Sequence, residues 1–323
     1  MKNNLIIGSG QLGSRHLQGL LKCSYPQKIF VLDPSPTSLE LAKHRSQEID
    51  HNHQLSFVDN WNDLPESCDL VIGATNSDVR EQAVSHLAEN YEIKYLILEK
   101  VLFQEIDAYS RVAELLNKHQ ISTWVNHPRR MFSSYKKIRS LLTPGSQKII
   151  QFFGGNWGLG SNSLHLIDLC IYLADSDLIS LDTDWVDSEL IPCKRKGFIE
   201  FTGIITGKLA DYSTFQLTSL KGEITPGTMT IFDPDTRMVI QELGTPQIYF
   251  LQKEKMFKAD SIPFEMEMQS SLTKRLVEEL YERGNCDLPS YKQACKSHVI
   301  FIREMLRKYS EITGENHIKL PVT

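Results

Sequence analysis

The 323-residue sequence has six cysteines and no CxxC pair among them. Cys23, Cys68, Cys170, Cys193, Cys286 and Cys295 are not spaced as a zinc ribbon or a thioredoxin-type redox site requires. They read as scattered thiols of a reducing compartment. His51-Asn52-His53 is only a short polar turn, and no metal site is predicted. No apolar run approaches the ~18 residues that span a bilayer. The opening Met1-Lys2-Asn3-Asn4 enters an apolar strand without the long apolar core and small-residue cleavage site of a secretory signal. Basic charge is not in excess: 35 Lys and Arg stand against 40 Asp and Glu, net −5. Dedicated binders of nucleic acid or anionic membrane carry a basic surplus. Internal repeats and low-complexity tracts are also missing. A cytoplasmic globular protein is expected, with neither nucleic acid nor membrane as partner.

What is present is an alternation. Length suggests about two domains, and a chain of this size buries roughly 75% of the surface it exposes when unfolded. Short apolar runs occur at Leu5 to Ile7, Ile29 to Leu32, Leu55 to Val58, Leu70 to Ala74, Tyr95 to Leu98 and Ser122 to Val125. Helix-patterned stretches separate them. Six such strands with helical crossovers predict a doubly wound parallel sheet over residues 1–125, an α/β Rossmann domain. After Asn126 the rhythm changes. Segments such as Phe198-Ile199-Glu200-Phe201-Thr202-Gly203-Ile204 alternate apolar and polar residues, as antiparallel strands with one uncovered face do. Helices are expected over 164–173, 267–283 and 291–312. Residues 126–323 therefore read as an α+β domain with an open, mainly antiparallel sheet.

Gly8-Ser9-Gly10-Gln11-Leu12-Gly13 is GxGxxG, following a strand and opening a helix. Its glycines permit a tight turn, close approach to a pyrophosphate and close helix–strand packing. The helix N-terminus offers N–H groups and a positive dipole end to phosphate. Asp33 ends the second strand, twenty residues beyond Gly13, where a carboxylate accepts hydrogen bonds from a ribose diol. A 2′-phosphate there meets like charge, so NAD is favoured over NADP. Asp33 also opens a good helix-start signal, a role compatible with the first. Thr75 and Asn76 follow the fourth strand, at the sheet edge that lines a cofactor crevice.

Glu99-Lys100 ends the fifth strand at that same carboxyl edge. Lysine is a strong donor that polarises a hydroxyl or carbonyl. The glycine-rich run Gly154 to Ser163 leads to Leu164-His165-Leu166-Ile167-Asp168. Histidine titrates near neutrality and accepts a hydroxyl proton as hydride leaves the same carbon. Asp168 shares its face, three residues on; a core histidine beside a capping carboxylate is the plainer alternative. Arg130 suits a carboxylate, phosphate or sugar hydroxyl, and equally an interdomain ion pair. Trp157 suits stacking on a sugar or packing in a core.

These motifs in order resemble the glucose-fructose oxidoreductase / inositol dehydrogenase (Gfo/Idh/MocA) family. Gly8 to His16 looks like its GxGxxGxxH, Glu99-Lys100-Val101 like its EKP, and His165-Leu166-Ile167-Asp168 like its H-x-I-D. Arg130 to Tyr135 resembles the arginine-aromatic segment that opens the second domain, and Ile318 to Thr323 a common family ending. The resemblance implies a Rossmann domain followed by an open-sheet domain, and a homodimer or homotetramer assembled through the open sheets. It implies NAD(P)-dependent oxidation or reduction of a sugar, cyclitol or nucleotide-sugar hydroxyl. Lys100 would polarise the reacting oxygen and His165 would accept the proton. Substrate contacts would come from Lys100, Arg130, Trp157, Asn162 and Asp168, and Glu99 would join the cofactor edge. Two positions depart from the pattern. Val101 stands for the proline of EKP. Ser161 stands where the family often has an Asp four residues before the histidine, and serine supplies no charge. The segment Asn156 to Asn162 is similar to a subgroup associated with surface-polysaccharide sugars. The family also holds non-catalytic nucleotide-binding regulators and enzymes that recycle bound NAD during elimination, hydrolysis or epimerisation, and both remain alternatives.

Overall fold

The computed structural model describes residues 1–193 and 195–323. The chain forms two units. The first contains a six-stranded sheet made of β1 (Lys2–Ile7), β2 (Gln27–Leu32), β3 (Gln54–Val58), β4 (Ser67–Gly73), β5 (Glu92–Leu98) and β6 (Ser122–Val125). The order is β3-β2-β1-β4-β5-β6 and every pairing is parallel. This is the order of a doubly wound sheet, the architecture predicted from the apolar runs. Leu5, Ile6, Leu70, Val71, Ile72, Leu96, Ile97 and Leu98 are all fully buried. Consecutive residues of a strand point to opposite faces, so the sheet is covered on both.

The crossovers run through α1 (Gly13–Leu21), α2 (Pro36–Ser46), α3 (Arg80–Asn90) and α4 (Ile106–Lys118). A further helix, Gln269–Arg283, also belongs to this unit and packs on α1. The sequence reading placed that segment in the second domain. Gly19 explains the docking: a Cβ there would lie 2.5 Å from Thr273 Cβ and 2.7 Å from the Ser270 carbonyl oxygen. Only glycine lets these two helix backbones come so close.

The second unit opens with α5 (Ser133–Leu141), β7 (Ile149–Gly155), α6 (Leu159–Ala174) and β8 (Leu178–Asp182). Next come the short pair β9 (Ile191–Pro192) and β10 (Ile199–Glu200), then β11 (Gly203–Leu209) and β12 (Thr214–Leu220). The strands end with β13 (Thr225–Phe232), β14 (Thr236–Gln241), β15 (Gln247–Gln252) and β16 (Ala259–Pro263). With α7 assigned to Gln269–Arg283, the last helix is α8 (Tyr291–Thr313). The eight-stranded sheet runs β16-β15-β14-β13-β7-β12-β11-β8 and is antiparallel except between β7 and β12. On one face Ile150, Phe152, Leu217, Met229, Ile231, Met238, Ile240 and Ile248 are buried, and α6 packs over β12 and β11. Ile149, Phe153, Phe232, Val239 and Tyr249 occupy the alternate positions and are exposed. No helix among the described residues is long and apolar enough to cross a membrane.

Candidate functional site

The carboxyl edge of the parallel sheet gathers the predicted nucleotide residues. A Cβ on Gly13 would stand 1.8 Å from the Gly8 carbonyl oxygen, and one on Gly8 2.8 Å from the Ala74 carbonyl and the Thr75 nitrogen. The β1–α1 loop thus rests on the loop carrying Thr75 and Asn76, which only unsubstituted backbone allows. A Cβ on Gly10 would meet nothing within 4 Å, leaving a cradle that a phosphate can enter. Gln11 is exposed and Leu12 half-buried beside it. Arg45 of α2 donates to the Gln11 carbonyl at 2.8 Å, to Gln11 Oε1 at 2.6 Å and to Ser14 Oγ at 2.6 Å, fixing this turn. Asp33 is held from two sides. Its Oδ2 accepts from the Ser9 backbone N–H at 2.7 Å, and its Oδ1 accepts from Ser35 N–H at 2.8 Å. The side-chain cap of α2 is Ser35, which accepts from Ser38 N–H. Asp33 instead links the glycine loop to the end of β2. Thr75 Oγ1 is buried there without a hydrogen-bond partner among the described residues. The open cradle and this orphaned hydroxyl fit a polar ligand at the edge.

Glu99 is buried, and its Oε1 accepts from Asn126 Nδ2 at 2.5 Å and lies 2.8 Å from His16 Nε2. His16 Nδ1 lies 2.8 Å from Thr273 Oγ1. The imidazole thus bridges Glu99 and Thr273. The histidine of the GxGxxGxxH run and the glutamate of the EK pair therefore bind each other. Lys100 follows, half-buried. Arg80 organises the segment after it. This guanidinium, 1% exposed, donates to the carbonyls of Val101, Leu102 and Thr75. One buried side chain thus holds the loops after β4 and β5 together. Nothing in the sequence around Arg80 marked it, because its acceptors are backbone atoms.

In the second unit α6 begins at Leu159, five residues before the helix expected from sequence. Gly158 stands at the cap in the left-handed region, φ 85°. Glu200 of β10 accepts from Gly160 N–H at 2.9 Å and Ser161 N–H at 2.8 Å. Those are helix-end donors that otherwise lack a partner, and a cap supplied forty residues away leaves no local signal. His165 lies on the second turn, half-buried. Asn162 Nδ2 donates to the Trp157 carbonyl at 2.8 Å. The Trp157 indole N–H donates to the Thr218 carbonyl at 2.7 Å, and its ring stands edge-on to Phe152 at 5.3 Å. Tryptophan and asparagine are thereby locked beside the start of α6.

Arg130 and Asp168 meet each other. Arg130 Nε and Nη2 donate to the two Asp168 oxygens, both at 2.8 Å. Burial pushes the Asp168 carboxyl up to about 6 against the pull of Arg130. The preceding residue makes a second such pair: Arg129 donates to Glu242 at 3.0 and 2.7 Å, and Tyr135 donates to it at 2.5 Å. Burial alone would raise Glu242, but the Arg129 charge and both partners' hydrogen bonds bring it below the usual carboxylate range. Burial beside that carboxylate pushes the Tyr135 phenol well up. Among the described residues no group of three or more His, Cys, Asp or Glu is disposed to hold a metal ion.

Residues 1–100 match a family described as "putative NAD(P)-binding". No curated protein matches the chain in sequence. Solved structures do. UDP-N-acetylglucosamine 3-dehydrogenase from Acidithiobacillus ferrooxidans superposes with TM-score 0.70 at 12% identity, covering 94% of this chain and 96% of that one. Scyllo-inositol dehydrogenase from Lactobacillus casei, solved with NAD(H) and scyllo-inositol, gives 0.67 at 16% identity, with 96% and 98% covered. The transcriptional regulator Gal80p from Kluyveromyces lactis gives 0.71 at 12% identity, with 96% and 92% covered. The fold is thus shared with NAD(P)-dependent sugar and cyclitol dehydrogenases, and the resemblance drawn from the motifs is borne out at that level.

Proposed function

We propose that this chain is an NAD-dependent oxidoreductase acting on a hydroxyl- or keto-bearing carbon of a sugar, cyclitol or nucleotide sugar. The observation that carries the reading is the carboxyl edge of the parallel sheet, where the glycine cradle, Asp33 and Lys100 stand on neighbouring loops. Gly8, Gly10, Gln11, Leu12 and Gly13 would receive the pyrophosphate. Asp33 would accept the ribose hydroxyls and repel a 2′-phosphate, which favours NAD over NADP. Thr75, Asn76 and Glu99 complete that edge, Glu99 through its hold on His16 and Asn126. When bound, the nicotinamide supplies the hydride donor or acceptor. Lys100 donates to the reacting oxygen and stabilises charge developing there. His165 takes the hydroxyl proton on oxidation and returns it on reduction. Trp157 and Asn162 contact the substrate, and the Arg130–Asp168 pair fixes the helix that presents His165.

The likeness to a UDP-N-acetylglucosamine dehydrogenase and the Asn156–Asn162 segment support a nucleotide sugar of surface-polysaccharide metabolism, handled in the cytoplasm. The exposed Ile149, Phe153, Phe232, Val239 and Tyr249 support a homodimer or homotetramer built on the open sheet face. The test is turnover of a panel of nucleotide sugars and cyclitols with NAD, followed by NADH absorbance. A responding substrate should lose about 10²–10⁴-fold in rate with His165→Ala, while NADH affinity stays within about twofold. Full activity in that variant would remove the mechanism. The likeness to Gal80p supports a second reading, a nucleotide-binding regulator. It would show NAD binding, no turnover across the panel and a bound protein partner.

A further inference from the structure

Asn126 is the first residue beyond β6, at the carboxyl edge of the parallel sheet, and it is 2% exposed. Its backbone N–H donates to the Leu98 carbonyl at 2.8 Å, which sets it beside Glu99 at the end of β5. Its side chain closes a ring of polar contacts. Asn126 Nδ2 donates to Glu99 Oε1 at 2.5 Å and to Gln269 Oε1 at 3.3 Å. Gln269 Nε2 donates to Thr273 Oγ1 at 3.2 Å, and His16 joins Thr273 to Glu99 at 2.8 Å on each side. Five side chains, from α1, the ends of β5 and β6, and α7, thus hold one another.

The ring satisfies the amide nitrogen of Asn126 and leaves its carbonyl. Nδ2 faces two acceptor oxygens, so Oδ1 is the end left over. Among the described residues Oδ1 is buried with no hydrogen-bond partner. A buried acceptor without a donor is costly, and one whose side chain is clamped cannot turn to find a donor elsewhere. Thr75 Oγ1, on the loop after β4, is a second such atom at this edge. Since β5 lies between β4 and β6, the two orphaned atoms flank the strand that leads into Glu99 and Lys100.

Strand order says what reaches this place. The glycine cradle follows β1, and Asp33 follows β2 on the side away from β4. A dinucleotide with its pyrophosphate in the cradle and one ribose on Asp33 must send its other half across β4 and β5, toward β6. Adjacent strands lie about 4.8 Å apart, so the end of β5 is about 10 Å from that of β1, within reach of the phosphate–ribose–nicotinamide arm. That arm ends in a carboxamide, whose N–H groups donate. We propose that Asn126 sets specificity for the cofactor's head group: its Oδ1 accepts a hydrogen bond from the nicotinamide carboxamide, and the ring through Glu99 and Gln269 holds it ready. This inference rests on the nucleotide-binding reading above and extends it to a residue outside the set assigned there.

The test is calorimetric binding of three nucleotides to the full-length protein, with no substrate present. They are NAD, its 3-acetylpyridine analogue, which replaces the carboxamide NH2 by a methyl group, and ADP-ribose, which lacks the nicotinamide. The parent should bind NAD about tenfold more tightly than the analogue, because the analogue leaves Oδ1 unpaired. In Asn126→Leu that ratio should fall to within about twofold, with ADP-ribose affinity held within about twofold of the parent. Equal affinity of the parent for NAD and the analogue, as a bond to water or to a ribose hydroxyl would give, overturns the proposal. So does a ratio that survives in Asn126→Leu, or an equal loss of ADP-ribose binding there, which would make Asn126 a purely structural member of the edge. Should Asn126→Leu fail to fold, Asn126→Ser, too short for the contact, carries the same comparison. Absence of ADP-ribose binding to the parent would retract the nucleotide reading itself, whereas ADP-ribose binding without discrimination between the other two would retract only the role of Asn126.

Discussion

The parallel sheet of the first unit is sealed on both faces, whereas the mixed sheet of the second leaves one face open along β7, β13, β14 and β15. Their functional groups are placed by different means. In the first unit they sit where strands end, so topology alone brings Gly8, Asp33, Thr75 and Lys100 to one edge. Backbone contacts and short polar links then fix them. In the second unit the groups ride on a helix and a loop, and buried carboxylates bound to groups distant in sequence hold these in place. Asp168 grips Arg130, Glu242 grips Arg129, and Glu200 grips the start of α6. A site set by strand order resists single side-chain changes and yields to backbone ones. A site held by ion pairs does the reverse.

The largest effect expected from that contrast is at the Arg129–Glu242–Tyr135 cluster. Arg129→Met leaves Glu242 buried with its charge uncompensated and should destabilise the second unit by about 3–5 kcal/mol, read by urea denaturation. The same cluster gives a pH signature. Glu242 is held below its unfolded value, so its contribution is present above that value and fades as pH falls through the folded one. Glu242→Gln should therefore lose less stability than the parent on acidification from pH 5 to pH 3. Asp168 has the opposite sign: its folded value of about 6 lies above the unfolded one, so its contribution declines as pH rises from about 4 to 6. A parent-like acid limb in Glu242→Gln would contradict the assignment.

In the first unit the contrast sharpens at two glycines. Gly13→Ala drives a methyl into the Gly8 carbonyl and should cost about 2–4 kcal/mol through forced backbone movement. Gly10→Ala meets no atom. It should leave the melting temperature within a degree or two and weaken NADH binding by about tenfold or more, since its methyl occupies the cradle. Equal effects of the two substitutions on stability would break the account of this edge.

The smallest expected effect on the fold is on the open face. Phe153→Lys and Tyr249→Lys alter exposed side chains and should change unfolding free energy by less than about 0.5 kcal/mol. Sedimentation should nevertheless show a smaller species if that face joins copies of the chain.

This contrast also explains what could be read from sequence. Leu5-Ile6-Ile7 and Leu70-Val71-Ile72 announced a strand buried on both sides, and GxGxxG with a strand-terminal Asp announced the nucleotide edge. The alternation of Phe198 to Ile204 announced antiparallel strands, although the structure divides that segment between β10, in a two-stranded sheet with β9, and β11 of the open sheet. Hidden were the features made by distant partners. Glu200 extends α6 back to Leu159, Arg80 reaches backbone carbonyls of two loops, and Gly19 draws α7 onto α1. Each needs residues tens to hundreds of positions apart, and no local pattern records them. Arg130 and Asp168 were visible as residues of interest, but their mutual pairing was not.

The most direct test of the central claim is a parallel titration of the purified protein with NADH and NADPH, monitored by tryptophan fluorescence and calorimetry. Any nucleotide released on denaturation should be identified at the same time. The account predicts saturable binding with NADH favoured by about tenfold or more, the like charge of Asp33 excluding the 2′-phosphate, and loss of that preference in Asp33→Ser. Binding of neither nucleotide by protein that carries none would contradict the reading of the glycine cradle and the function built on it.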